Sequence, residues 1–256
     1  AEAASYDKYK GDKNHAFWYF DKEMADATEK YYANERGKTE QYIGFEQKGK
    51  LITFNPKSHV RMSPSFQPEA DGVTFHLKAV YTDMLRNEYS KEHSTHPIRM
   101  SRICGPVEVV NDTTFTVRFY RMGLDNPKRT GGICLMASVK QDHKYRSAVQ
   151  QVEIRIPYRN KEGIPQRIIF PKLSDVKASV KEISLNGTAD SGLPVYYYVK
   201  EGPAEIKGDK LVLTKIPPRA KFPVKVTVVA WQYGRSGESK VQTAEAVEQS
   251  FYITAR

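Results

Sequence analysis

The chain has 256 residues, 39% of them hydrophobic and 27% charged, with a formal net charge of +10. No run of about 18 apolar residues occurs, which excludes a membrane-spanning helix. The two cysteines, Cys104 and Cys134, fit no zinc or redox spacing. The charge sums to −1 over residues 1–38, +5 over 39–157 and +6 over 158–256. A charge spread in this way, without a basic cluster and interleaved aromatics, argues against nucleic acid as a partner. It describes a lysine-rich solvated surface, in which lysines also protect sheet edges. Diffuse positive potential attracts polyanions, so a polyanion-binding module remains an alternative.

The first residues, AEAASYDKYK, lack the apolar core of a signal peptide. A helix is predicted from Asp21 to about Glu35, because Phe20, Met24, Ala27 and Tyr31 share one helical face. Acidic Asp21 and Glu23 stand at its start, and Gly37 is placed to end it. The aromatic group Phe17, Trp18, Tyr19 and Phe20 reads as the dock of that helix.

Beyond residue 38, Tyr, Phe, Val, Ile and Thr dominate and helical periodicity is scarce, which favours strands. Strands are expected at Gln41–Phe45, Leu51–Phe54, Gly72–Tyr81, Ile98–Cys104, Val107–Val110, Thr114–Tyr120, Ile133–Ser138 and Val149–Ile156. Residues 55–70 carry three prolines and read as irregular, and 82–97 as a polar excursion. Pro157 to Gly163 is a polar boundary with Pro and Gly at its ends. Strands resume at Gln166–Phe170, Leu193–Val199, Ala204–Ile206, Lys210–Ile216, Val224–Trp231 and Val247–Ile253.

The two halves repeat a set of landmarks in one order. Gln41-x-Ile-x-Phe45 corresponds to Gln166-x-Ile-x-Phe170, and Gly105-Pro106-Val-Glu-Val to Gly202-Pro203-Ala-Glu-Ile. Phe115-Thr-Val matches Leu211-Val-Leu, Leu135-Met-Ala137 matches Val228-Val-Ala230, and Ala148-Val149 matches Ala246-Val247. From Gly-Pro to Ala is 32 residues in the first copy and 28 in the second, whereas Gln to Gly-Pro is 64 against 36. The first copy therefore carries an insertion. The expected fold is mainly β: two tandem immunoglobulin-like β-sandwich domains preceded by a short N-terminal helical segment. The boundaries are 1–38 for the segment, 39–157 for the first sandwich and 158–256 for the second.

Residues 166–253 resemble the bacterial immunoglobulin-like modules of secreted and surface proteins of Bacteroidota. The resemblance rests on Gln166-x-Ile-x-Phe170, Ser191-Gly192-Leu193-Pro194-Val195, Gly202-Pro203-Ala204, Val226-Thr-Val-Val-Ala230 and Phe251-Tyr-Ile253. It covers about a third of the chain closely and another 100 or so residues weakly. It departs at Ala230-Trp231-Gln232-Tyr233, where the family has small residues. The resemblance implies an accessory domain, at the C-terminal end of a carbohydrate-active or adhesive surface protein, with no catalytic residues. It implies an extracytoplasmic place: secreted, periplasmic or on the cell surface.

Trp231 and Tyr233 are the candidate ligand-binding residues, with Tyr145 in the equivalent loop of the first copy. With Tyr196, Tyr197 and Tyr198 they could offer an aromatic platform to a sugar ring; the competing reading places them in the sandwich core. In an immunoglobulin-like topology the strands carrying Cys104 and Cys134 are antiparallel neighbours. The two are thus a candidate disulfide, the alternative being two buried free thiols. His93 and His96 stand three apart in a polar loop without a third ligand, so no metal is assigned. No Gly-x-Ser-x-Gly, phosphate loop, dinucleotide fingerprint or His-Glu-x-x-His occurs, so no catalytic residue and no cofactor is assigned.

The expected function is a non-catalytic accessory region that acts as spacer, docking surface or glycan-binding platform in a polysaccharide-handling protein. Its expected partners are polysaccharide or an upstream catalytic domain. The alternative is a glycan-acting enzyme with a cleft formed by the helix and the 55–100 insertion, which would require convergent carboxylates there.

Overall fold

The computed structural model describes residues 26–27, 30, 33–52, 64–83, 87–120 and 123–255. Of the expected helix, 26–27, 30 and 33–35 are helical, and Gly37 takes a left-handed φ of 81° just beyond. The start of the helix, the aromatic group around Trp18 and residues 55–63 lie outside the described residues. Glu35 ties the segment to the β structure. Its carboxylate accepts the Ser147 N–H at 3.2 Å, and its carbonyl accepts Arg146 Nε at 3.2 Å.

Among the described residues the first half holds ten strands: β1 (Tyr42–Gln47), β2 (Lys50–Ile52), β3 (Thr74–His76), β4 (Lys78–Asp83), β5 (Glu88–Tyr89), β6 (Arg99–Cys104), β7 (Val107–Val109), β8 (Thr114–Val117), β9 (Gly132–Val139) and β10 (Ala148–Arg155). They form sheets in the orders β2-β1-β4-β5, β3-β8-β7 and β10-β9-β6. The strand expected over Gly72–Tyr81 is split. Leu77 leaves the ladder, gives its N–H to the Thr113 carbonyl at 3.1 Å, and buries its side chain. The chain thereby pairs with β8 before the break and with β1 after it. Lys48 and Gly49, both at positive φ, make the β1–β2 turn.

The second half holds β11 (Ile168–Ile169), β12 (Val176–Lys177), β13 (Glu182–Ser184), β14 (Thr188–Ala189), β15 (Tyr196–Glu201), β16 (Ala204–Lys207), β17 (Lys210–Leu213), β18 (Val224–Trp231) and β19 (Val247–Thr254). Its sheets run β12-β19-β18-β15, β13-β17-β16 and β11-β14. The order β10-β9-β6 is thus repeated as β19-β18-β15, and β3-β8-β7 as β13-β17-β16. The repeat reaches single hydrogen bonds. Val107 N–H donates to the Gly105 carbonyl at 3.0 Å and Ala204 N–H to the Gly202 carbonyl at 3.0 Å. Arg118 N–H meets the Pro106 carbonyl at 3.0 Å as Thr214 N–H meets that of Pro203 at 2.9 Å.

The strands of the two cores differ in pattern, and the difference locates the contact between the halves. In β9, Ile133, Leu135, Ala137 and Val139 are buried, while Cys134, Met136 and Ser138 point outward. That is the period of two of a strand with one wet face. In β18 every residue from Val226 to Trp231 is buried. Val226, Val228 and Ala230 fill the second core with Leu211, Phe251 and Ile253. Trp231, on the opposite face, joins the first core with Phe45, Phe75, Phe115, Phe119 and Leu135. A continuous apolar strand signals burial on both faces, and here the second face reaches the other half of the molecule at Trp231, while Thr227 on the same face bonds to Glu201 and Ser250 of its own half.

Candidate ligand-binding groove

Trp231 and Tyr233 are both 0% exposed. The Trp231 ring meets Phe119 edge-on with centroids 4.8 Å apart and lies 4.9 Å from Tyr196. Tyr233 packs against Phe119 at 5.8 Å and Phe66 at 6.4 Å, and its hydroxyl donates to the Pro157 carbonyl. The Tyr233 carbonyl accepts Asn160 Nδ2 at 2.8 Å and Thr243 Oγ1 at 2.6 Å. Burial raises the Tyr233 phenol above its usual range. Rings enclosed in this way have no face left for a sugar. The structure therefore corrects the expected platform: Trp231 and Tyr233 fasten the second sandwich to the first.

The rest of the contact is equally close. A Cβ on Gly72, whose φ is +77°, would stand 2.0 Å from the Gly234 carbonyl oxygen. Arg235 Nη1 donates to the Ala70 carbonyl at 2.9 Å. Arg129 is buried with its guanidinium 5.0 Å from the Phe119 ring centre and 5.1 Å from that of Tyr158, and burial lowers its pKa. Arg159 spans Asp125 and Glu245.

Tyr145 is 6% exposed. Its N–H donates to Asp142 Oδ1 at 2.7 Å, and Lys144 Nζ lies 5.1 Å from its ring centre. It holds a loop against the sandwich and offers no surface to a ligand.

The same contact leaves a groove of about 770 Å³ beside it. One wall is Glu108 of β7 with Arg118, Phe119 and Tyr120 after β8. The other wall is β15, with β16 and the Gly208-Asp209 turn. Strands β7, β15 and β16 are all edge strands of their sheets, so three sheet margins converge on one hollow. Alternation along β15 divides its tyrosines. Tyr197 turns into the second core, donates its hydroxyl to the Leu185 carbonyl at 3.2 Å and accepts the Gly187 N–H at 2.7 Å. Tyr196 and Tyr198 turn toward the first sandwich. Arg118 covers Tyr196 at 4.6 Å and pairs with Glu108 at 3.2 Å. Tyr198 lies against Gly123, where a Cβ would come within 2.3 Å of its hydroxyl oxygen. Burial, with Glu248 and Asp125 nearby, pushes its phenol up to about 12. Tyr120 stays 47% exposed, with Arg102 at 5.6 Å from its ring centre.

The charges lining the groove nearly balance. Glu108 pairs with Arg118, Glu205 with Lys207 at 3.1 Å, and Asp209 adds a third carboxylate. The groove is thus slightly acidic by count on a chain of net charge +10. Tyr120 and the groove itself were not singled out from the sequence. The signal was present only in the β-formers Tyr196–Tyr198, because the opposite wall comes from residues about 80 positions away.

A second hollow of about 450 Å³ lies along the insertion, lined by Tyr81, Tyr89, His93, His96 and Asp112, among others. His93 stacks on Tyr81 at 4.1 Å, and among the described residues no group of three His, Cys, Asp or Glu could hold an ion. Asp112 is committed to the Met100 N–H at 2.8 Å and Arg99 at 2.8 Å, which lower its pKa. The converging carboxylates that an enzymatic cleft would need are not found among the described residues of this hollow.

Cys104 and Cys134 are free. They stand directly opposite each other on β6 and β9, Cys104 exposed and Cys134 partly covered, not buried together.

No family model and no curated protein matches the chain. Solved structures similar to it include human protocadherin-24 EC1-2, with 13% identity, 76% of this chain and 94% of that one covered, and a TM-score of 0.29. Drosophila N-cadherin EC1-4 shares 12% identity over 84% of this chain and 50% of that one, at a TM-score of 0.27. Mouse cadherin-23 EC22-24 shares 17% over 84% and 65%, at 0.25.

Proposed function

We propose that this chain is a non-catalytic accessory region of an extracytoplasmic polysaccharide-handling protein, of the kind found in Bacteroidota, and that its groove between the sandwiches binds neutral glycan. The observation that carries this reading is the tyrosine-lined groove itself. A hollow of several hundred Å³ that sets aromatic faces beside placed polar groups has the form of a small-ligand site. Exposed Tyr120 offers a flat apolar face with a hydroxyl at its rim. The paired charges of Glu108, Arg118, Glu205 and Lys207 can exchange hydrogen bonds with sugar hydroxyls at little cost in net charge.

The charge count separates this from polyanion binding. A site for sulfated or uronic-acid chains would gather unpaired lysines and arginines, and its affinity would fall steeply with salt. Here the cations of the groove are already paired.

Affinity gels containing neutral glucans, mannans or xylans, run beside heparin, test the reading. Retention on a neutral gel that persists in high salt supports it. Tyr120→Ala should then weaken retention by about 2- to 12-fold, the factor equivalent to one aromatic contact of about 0.5–1.5 kcal/mol. Retention on heparin alone, lost with salt, would transfer the function to polyanions. No retention on any gel would leave a spacer, which the close packing of Trp231 and Tyr233 between the sandwiches also suits.

A further inference from the structure

Cys104 and Cys134 take no part in the groove. They stand at one end of the outward face of sheet β10-β9-β6, where the register of β6 shifts between Arg102 and Cys104 so that Ile103 bulges out. The second copy repeats the position. The register of β15 shifts between Val199 and Glu201, and Glu201 stands opposite Thr227 on β18. Cys104 and Glu201 each precede a Gly-Pro pair, and Gly105 and Gly202 take φ values of +97° and +102°. A Cβ on either would strike the start of the facing strand, at the Gly132 carbonyl oxygen in one copy and that of Lys225 in the other. Backbone and register therefore make Cys104–Cys134 the counterpart of Glu201–Thr227.

In the second copy that cross-strand pair is latched by its side chains. Thr227 Oγ1 donates to Glu201 Oε1 at 2.7 Å, and Lys225 Nζ pairs with the same carboxylate at 2.7 Å. In the first copy both latch positions carry thiols. We propose that Cys104 and Cys134 form a reversible thiol–disulfide exchange site, whose oxidised form bonds β6 to β9 covalently where the second copy uses Glu201 and Thr227.

The geometry suits the bond. Directly opposed residues of antiparallel strands have Cα atoms about 4.5–5.5 Å apart, within the span of about 4.4–6.8 Å that a disulfide bridges. The two sulfurs have different tasks. Cys104 is exposed and meets an external disulfide first. Cys134 is partly covered, and burial, its hydrogen bond with Cys104 and Glu153 on the next strand raise the pKa of its thiol.

The oxidant is a small-molecule disulfide, RSSR. The Cys104 thiolate attacks one sulfur of RSSR and releases RS⁻, leaving the mixed disulfide Cys104–S–SR. The Cys134 thiolate then attacks the Cys104 sulfur and releases the second RS⁻. The two released thiolates take up the two protons the cysteines lose. Two cysteine thiols are oxidised to one disulfide while RSSR is reduced to two RSH. An exposed disulfide sits at a more oxidising potential than a buried structural one, so the reverse step is open to external thiol. The bond fixes the Gly105-Pro106 corner, from which β7 carries Glu108 to the groove wall.

The test is a redox titration of the full chain in oxidised and reduced glutathione, with acid quenching, intact-mass measurement and peptide mapping. The expected result is one two-electron transition to a Cys104–Cys134 bond with loss of two hydrogens and no retained glutathione. Cys134→Ser should stop at a Cys104–glutathione adduct, and Glu153→Gln should speed closure of that adduct in the otherwise unaltered chain. Stable glutathione adducts on wild type, or disulfide-linked dimers in place of the internal bond, would overturn the proposal. Because the wild-type titration needs no variant, a variant that fails to fold does not decide the matter.

Discussion

Trp231→Ala should destabilise both sandwiches although the residue belongs to the second. The indole is 0% exposed and contacts Phe119 and Tyr196 at 4.8 and 4.9 Å. A large aromatic buries roughly 150–250 Å², worth about 4–6 kcal/mol at about 25 cal/mol per Å². Truncations of buried Phe and Trp in cores cost about 3–5 kcal/mol. Trp231 Nε1 is buried and has no hydrogen-bond partner among the described residues. Its removal relieves the desolvation of one donor, which places the expected loss near the lower end, about 3 kcal/mol. For a chain of this size that lowers Tm by about 6–12 °C. Urea unfolding followed by hydrogen exchange at Val117 and Leu135 checks the coupling, since both lie in the first core that Trp231 joins. Their protection should fall with that of Val228 in the second core. Unchanged protection at Val117 and Leu135, with loss confined to the second half, would refute a shared core and leave two independently stable sandwiches.

Gly72→Ala and Gly49→Ala both place a side chain at positive φ, which costs about 1–2 kcal/mol. Only Gly72 also drives a Cβ against the Gly234 backbone, whereas nothing lies near Gly49; equal losses in thermal melts would argue against the close approach. Tyr233→Phe removes the hydroxyl that meets the Pro157 carbonyl and should cost about 1–3 kcal/mol in urea unfolding; a neutral effect would mean the carbonyl finds water instead. Asp142 accepts the Ser94 hydroxyl and the N–H groups of Tyr145 and Lys144, so its pKa falls from 3.8 to about 2 on folding. A lowered folded pKa gives stability that is complete above about pH 4 and lost as pH falls toward 2. The gap in Tm between wild type and Asp142→Asn should narrow across that window, and a gap that stays constant would show that the carboxylate's charge is not what the loop uses.

The strands could be read from the sequence because their signals are local. Val224–Trp231 matches β18 at both ends, and the Gly-Pro landmarks fall at equivalent corners of both copies. The break at Leu77 could not be read: its cause is a hydrogen bond to Thr113, which follows only from the fold. Of the site, the sequence marked Trp231 and Tyr233 as bulky aromatics at a strand end but not which way they face. A bulky residue at a strand end serves a ligand or a neighbouring domain equally well until the neighbour is placed. The length of the buried run did hold the answer. An isolated sandwich with a solvated outer face would need a polar residue at every second position of β18, yet Val229 and Trp231 occupy that face and Thr227 is tied to Glu201 and Ser250. Two-sided burial in the second copy and one-sided burial in β9 break the symmetry of the repeat. At the matching cross-strand position the first copy carries two free thiols, with Cys104 exposed to an external disulfide and Cys134 partly covered, while in the second copy Thr227 is closed into a hydrogen-bonded latch with Glu201.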